Sequence, residues 1–143
     1  YKGNNQMIEA IMCLALNLYY EARDQPVVGQ LAVGFSTMNR VSDKRYPDTV
    51  CGVVKQAKYH EWNTEYPIRH KCQYSWFCDG MSDIPENDKA MLEATLLAQA
   101  IYYGSVTDIS DGATHYHATW IKTPYWADHM TVVFTIDDHI FYR

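Results

Sequence analysis

The chain has 143 residues, 48% of them hydrophobic and 20% charged, with a formal net charge of −5. That balance suits a single domain, residues 1–143, with a buried core, and it disfavours disorder. The acidic excess offers no basic stripe to phosphates, so nucleic acid is not an expected partner. No apolar run approaches the ~20 residues of a membrane span, so membrane insertion is not expected either.

Residues 1–6 read as a loosely ordered leader. Ile8, Ile11, Met12, Ala15, Leu16 and Tyr19 recur at helical spacing and predict an amphipathic helix over about 6–22. Pro26 is placed to open a second helix, with Val27, Leu31, Phe35 and Met38 on its face, running to about Val41. Asp48 or Thr49 can cap a short helix reaching about Gln56. Residues 57–85 hold no sustained period and carry Pro67, Gly80 and Pro85, which predicts a long loop. A helix follows from Asp88 to Tyr103, stopped by Gly104, with Ala94, Leu97, Ala98 and Ile101 aligned. "GATHYHA" at 112–118 can supply a strand, and "TVVFTI", "DDH" and "IFYR" read as a closing hairpin. The expected fold class is α+β, dominated by helices, with a small antiparallel sheet toward the C-terminus.

Glu21 closes the first helix directly after Tyr19 and Tyr20. A carboxyl buried among aromatic rings is raised toward neutrality and can protonate a leaving oxygen, whereas an exposed one, or one paired with Arg23, cannot do so. Arg23 is two positions on, and such residues point apart on a helix. On the second helix, Gln30 is a candidate contact, while Asn39 and Arg40 fit structural roles at the helix end. Gln73, Tyr74 and Ser75 put donors and acceptors on a loop. Trp76 and Phe77 either stack on a ligand or anchor that loop. Asp79 is either a second carboxylate or a turn residue.

His115 and His117 share one face of their strand and Tyr116 takes the other. No third ligand accompanies the two histidines, and neither a metal nor any other cofactor is expected. Trp120, Tyr125 and Trp126 around Pro124 form either a sugar platform or the loop's own small core. Among the cysteines, Cys13 lies on the apolar stripe and reads as a buried small hydrophobe. Cys51, Cys72 and Cys78 are disulfide candidates, with Cys72 and Cys78 flanking the aromatic loop.

Four segments in order, "YYEARDQPVVGQLAVGFSTMNRV", "YPDTVCGVVKQ", "CQYSWFCDG" and "GATHYHATWIKTPYW", with the terminal "HIFYR", resemble the SleB/CwlJ-type cell-wall hydrolases, the spore-cortex-lytic enzymes and their phage relatives. The cysteine-flanked segment and "HYHA" look closest to the phage and Gram-negative branch. The resemblance implies a lysozyme- and lytic-transglycosylase-like scaffold that cleaves the MurNAc–GlcNAc bond of peptidoglycan. It puts Glu21 on the family's catalytic acid. It also implies a glycan cleft lined by candidates among Gln30, Gln73, Tyr74, Ser75, Asp79, His115, Tyr116, His117 and Trp126.

The partner implied is the peptidoglycan glycan strand. The place of action implied is the bacterial wall, periplasmic or extracellular, with a phage lysin or a virion component among the settings. A one-acid transglycosylase is expected. The alternatives are a muramidase with a second carboxylate, a cysteine-dependent amidase using Cys78 or Cys51 with His115 or His117, and a non-catalytic glycan-binding virion module.

Overall fold

The computed structural model describes residues 2–143, and for Lys2 only the backbone. Helix α1 (Lys2–Ala22) is packed on by α2 (Val27–Val41), α3 (Val50–Val54) and α4 (Asp88–Tyr102). A hairpin of β1 (Ala57–His60) and β2 (Asn63–Cys72) leaves this helical body, followed by a 3-10 turn at Ser75–Cys78. Strands β3 (His115–Ala118), β4 (Val132–Ile136) and β5 (His139–Tyr142) form an antiparallel sheet with β5 in the middle. A second 3-10 turn, Tyr125–His129, lies between β3 and β4.

The expected α+β class, the late sheet and the strand at "HYHA" match this architecture, while several local readings are corrected. Helix α1 already runs through residues 2–6, where a loose leader was expected; Tyr1 lies outside the described residues. Its buried face is also rotated from the expected stripe. Ile8 and Met12 are more than half exposed, whereas Leu14, Leu18 and Ala22 are fully enclosed along with Asn17. Three helices grip α1 from different sides, so the buried sector is wider than one amphipathic stripe and takes in positions that periodicity would leave outside.

Helix α2 shows the same effect more strongly. Ala32, Val33, Gly34, Phe35, Ser36, Thr37 and Arg40 are all buried, while Val27 is exposed. Ser36 and Thr37 satisfy their hydroxyls by donating to the Val33 carbonyl, at 2.7 and 3.3 Å. Thr49, not Asp48, caps α3, its side chain accepting from the Gly52 N–H at 3.0 Å. Helix α4 is capped by Asn87, and Gly104 follows its last turn at φ +73°, a conformation that costs glycine nothing.

The stretch 57–85, expected to be a loop, contains the β1–β2 hairpin. Its pairing is irregular, with register shifts on both sides of Tyr59, whose partner in the continuous strand β2 is Pro67. Those breaks erase the period-two signal that would have revealed it. Two disulfides close local loops. Cys72–Cys78 ties the end of β2 to the 3-10 turn, and Cys13–Cys51 ties α1 to α3. The second corrects the reading of Cys13 as a free buried thiol: it is buried, but its partner lies 38 residues away.

Phe141, fully buried, centres the sheet, stacking on Phe134 at 4.9 Å and lying 5.4 Å from the Tyr116 ring. The face of the sheet carrying Tyr116 and Phe141 therefore turns toward the helices.

Candidate active site

The last turn of α1 delivers Glu21 to the seam between the helices and the sheet. Asn17, one turn earlier, lies on the same side of the helix and makes the floor. Its amide donates to Thr37 Oγ1 at 3.3 Å, and its carbonyl accepts from the indole N–H of Trp76 at 2.9 Å. The Tyr74 hydroxyl joins this network at 3.2 Å from Thr37 Oγ1. The aromatic loop is thus bolted to α1 and α2 through three buried polar side chains, each with a partner. Trp76 is an anchor, stacked on Tyr20 at 4.9 Å.

Glu21 itself is mostly enclosed, with some surface left open. Its Oε1 accepts a 2.9 Å hydrogen bond from the Tyr116 hydroxyl, which arrives on β3 from 95 residues away. Burial pushes the Glu21 carboxyl up from its ordinary value; the Tyr116 hydrogen bond and the Arg40 guanidinium oppose that rise. The Tyr116 phenol is pushed well above its own ordinary value, chiefly by burial and next by the neighbouring Glu21 charge, so it keeps its proton and stays a donor. The site can therefore present a proton from a poorly solvated acid and hold the resulting anion through a fixed phenol. Tyr116→Phe should leave the fold intact and reduce turnover roughly ten- to a hundredfold, as expected for losing one donor to a developing charge. Steady-state kinetics on the folded variant check this.

Not every expected contact gathers here. Tyr74 is buried and bonded to Thr37, so it supports the site from beneath and does not line an open surface. Gln73 and Ser75, on either side of it, are exposed and free to reach a ligand. Gln30 is buried, its amide donating to the Gln25 carbonyl at 2.9 Å; it braces the α1–α2 connection, and groove lining does not fit that placement. Asp79 accepts from the Met81 N–H at 2.8 Å, the turn role of its two readings.

Strand alternation sends His115 and His117 to the face opposite Tyr116. There they meet the Trp126 ring, at 5.0 and 5.8 Å. His117 Nε2 lies 2.8 Å from the Tyr142 hydroxyl, while Tyr46 and Thr114 approach His115. Burial and the cations of Arg40 and Arg45 hold His115 down to about 4, so it is neutral at physiological pH. Histidines and Trp126 thus form a separate cluster. Among the described residues no three His, Cys, Asp or Glu side chains converge as a metal site.

All four cysteines are in disulfides. That corrects the cysteine-nucleophile alternative, because neither Cys51 nor Cys78 carries a thiol to ionise. Asn17 and Thr37 are site-building residues that sequence reasoning missed. The available signal was a polar residue inside an apolar helix, four positions before the acid.

A concavity of about 420 Å³ lined by Glu9, Met38, Val41, Thr49 and Tyr102 also occurs in the molecule. It lies near the other end of α1, roughly 18 Å from Glu21 by helix rise, and brings no acid–base pair together.

The family model described as Cell Wall Hydrolase matches residues 24–142. The chain belongs to the cell wall hydrolase family. This cell wall hydrolase is 32% identical over 101 residues to a spore cortex-lytic enzyme of Oceanobacillus iheyensis, covering 65% of the chain and 31% of that relative. It is 43% identical over 44 residues to the spore cortex-lytic enzyme of Halalkalibacterium halodurans, covering 31% of the chain and 13% of the relative. The chain therefore spans under a third of the length of these curated relatives.

Among solved structures, the catalytic domain of the germination-specific lytic transglycosylase SleB from Bacillus anthracis superposes with a TM-score of 0.68 at 25% identity, covering 94% of this chain and 93% of that one. The catalytic domain of Bacillus cereus SleB gives 0.65 at 23%, covering 94% and 89%. The fold of this cell wall hydrolase is the lysozyme-like fold of the SleB catalytic domains. The family match begins three residues after Glu21, so the case for Glu21 rests on the geometry around it.

Proposed function

We propose that this cell wall hydrolase cleaves the MurNAc–GlcNAc bond of peptidoglycan as a lytic transglycosylase, with Glu21 acting first as acid and then as base. The observation that carries the reading is a largely buried carboxyl, raised by burial and held by the Tyr116 hydroxyl at 2.9 Å.

In the first step, Glu21 donates its proton to the glycosidic oxygen, the bond from that oxygen to the muramic C1 breaks, and GlcNAc leaves with a free hydroxyl. The Glu21 carboxylate then takes the proton from the muramic C6 hydroxyl, whose oxygen bonds to C1 and closes a 1,6-anhydro ring. Glu21 returns to its protonated form, so one carboxyl serves both steps. A hydrolytic muramidase would normally require a second carboxylate across the bond, and the turn role of Asp79 leaves it poorly suited to that task. The structural neighbour from Bacillus anthracis is a lytic transglycosylase, which points the same way.

Two disulfides suit an oxidising compartment and so support action on the wall side of the membrane. The "CQYSWFCDG" resemblance, to the phage and Gram-negative branch of the family, fits a phage lysin, a virion-borne enzyme or a bacterial envelope enzyme.

Mass spectrometry of purified peptidoglycan digested by the protein tests the reading. Muropeptides ending in 1,6-anhydro-MurNAc are expected. Reducing MurNAc ends would replace it with hydrolysis, and intact glycan would favour a binding module. The pH dependence has a defined sign as well. The first step needs protonated Glu21, so kcat/KM should fall as pH rises through the folded-state value of Glu21, which burial places above the ordinary carboxyl range.

A further inference from the structure

Arg40 is a buried cation without a carboxylate partner. It is only 3% exposed. Its Nε donates to the Thr114 carbonyl at 2.6 Å, while its Nη1 is buried with no hydrogen-bond partner. The guanidinium lies between two phenol rings, 5.2 Å from the centre of Tyr46 and 5.5 Å from that of Tyr74. Among the described residues the ion pairs are Arg45–Asp43 and Arg143–Asp111, so no carboxylate lies within 4.0 Å of Arg40.

Burying a guanidinium this far from water is costly unless an anion answers it. The backbone supplies the route to one. Thr114, which holds Arg40, is two residues from Tyr116, which holds Glu21. Arg40 and Glu21 are thereby set on adjacent parts of one seam, with Tyr74 and Tyr116 around them.

We propose that Arg40 is the buried counter-charge of Glu21, a positioning residue that stabilises the carboxylate created when Glu21 gives up its proton, without itself touching the glycan. The proposal rests on the reading of Glu21 as the acid. In the first step the proton moves from Glu21 to the glycosidic oxygen and leaves an anion in a poorly solvated site. A fixed cation nearby lowers the energy of that anion as it forms, with no reorganisation needed at that moment.

The other groups facing Glu21 do not supply such a charge. Tyr116 from β3 and Tyr74 from the aromatic loop are both neutral phenols raised by burial. On α1 itself, Arg23 turns outward, 4.6 Å over the Tyr19 ring and bonded to the Tyr19 carbonyl. His139 of β5, 5.1 Å from Tyr116, is held below its ordinary value chiefly by burial. Burial dominates the shifts of Glu21, Tyr74, Tyr116 and His115, and the Arg40 guanidinium lowers all four.

The test is a ¹³C NMR titration of the Glu21 carboxyl in the wild type, Arg40→Met and Arg40→Lys, with amide spectra confirming the fold. The Met variant should titrate about one pH unit higher or more, the size expected for losing a nearby opposite charge, and the Lys variant should stay close to wild type. In kinetics the Met variant should lose kcat roughly tenfold or more at neutral pH, with KM unchanged and the alkaline limb moved upward.

An unchanged Glu21 midpoint in folded Arg40→Met overturns the proposal and leaves Arg40 as a tie between α2 and β3. If Arg40→Met does not fold, the Arg40 ¹⁵Nε resonance of the wild type decides. A step at the Glu21 midpoint that is absent from Glu21→Gln supports the proposal, and a flat response overturns it. Glycan cleavage surviving in Glu21→Gln would sink the proposed function instead, while the titration would still report whether Arg40 answers the Glu21 charge.

Discussion

Glu21→Gln is expected to reduce cleavage of purified peptidoglycan by roughly 10²–10⁴-fold, the range associated with loss of a positioned general acid. The substitution keeps shape and hydrogen-bonding capacity and removes only the transferable proton, so the Tyr116 contact at 2.9 Å can persist with the amide oxygen as acceptor. A stability signature should accompany the loss. Burial raises the folded-state value of Glu21 above its unfolded value, so folding favours the protonated form. The corresponding contribution is fully present below the unfolded value near 4.5 and is lost as pH rises through the folded one. Gln cannot ionise. The variant should therefore match wild type in Tm near pH 4 and exceed it near pH 8. Equal Tm differences at both pH values would mean that Glu21 is not held in the buried environment described here.

Replacing Cys13 and Cys51 together by serine should give the largest loss of stability, about 3–4 kcal/mol from the chain entropy that closing such a loop removes from the unfolded state. The bridge spans 38 residues and joins the middle of α1 to α3, about two helical turns before Glu21. The cost should appear in equilibrium urea unfolding of the double variant. Below its unfolding transition, that variant should retain the cleavage rate and the product profile of the wild type. A stability change under 1 kcal/mol would show that packing of α1 against the other helices holds α3 in place without the bridge.

The local chemistry of the chain was enough to place most of the helices and the closing hairpin. Gly104 stops α4 because a positive φ is cheap there, Thr49 caps because its side-chain oxygen reaches a backbone N–H, and "TVVFTI" forms a strand whose Phe134 and Ile136 are partly buried against the core. The same local logic placed His115 and His117 opposite Tyr116. The resemblance of the four segments singled out Glu21. None of these conclusions needs a contact between residues distant in the chain.

What decided the site was long-range packing, to which periodicity is blind. Tyr19 and Tyr20, the rings beside Glu21 in sequence, turn elsewhere: the Tyr19 hydroxyl accepts from the Asn87 N–H, and Tyr20 stacks on Trp76. The phenol that holds the acid is Tyr116 on β3. Tyr74 and Gln30 looked like surface donors because polar residues usually face water, yet each is buried with a partner already in place. The pairing of Cys13 with Cys51 and the isolation of Arg40 follow from how the helices and the sheet close around α1. A sequence specifies which groups can hydrogen-bond, ionise or cross-link. Which of them lose their water, and against which neighbour, is settled only when distant segments compete for the same interior space.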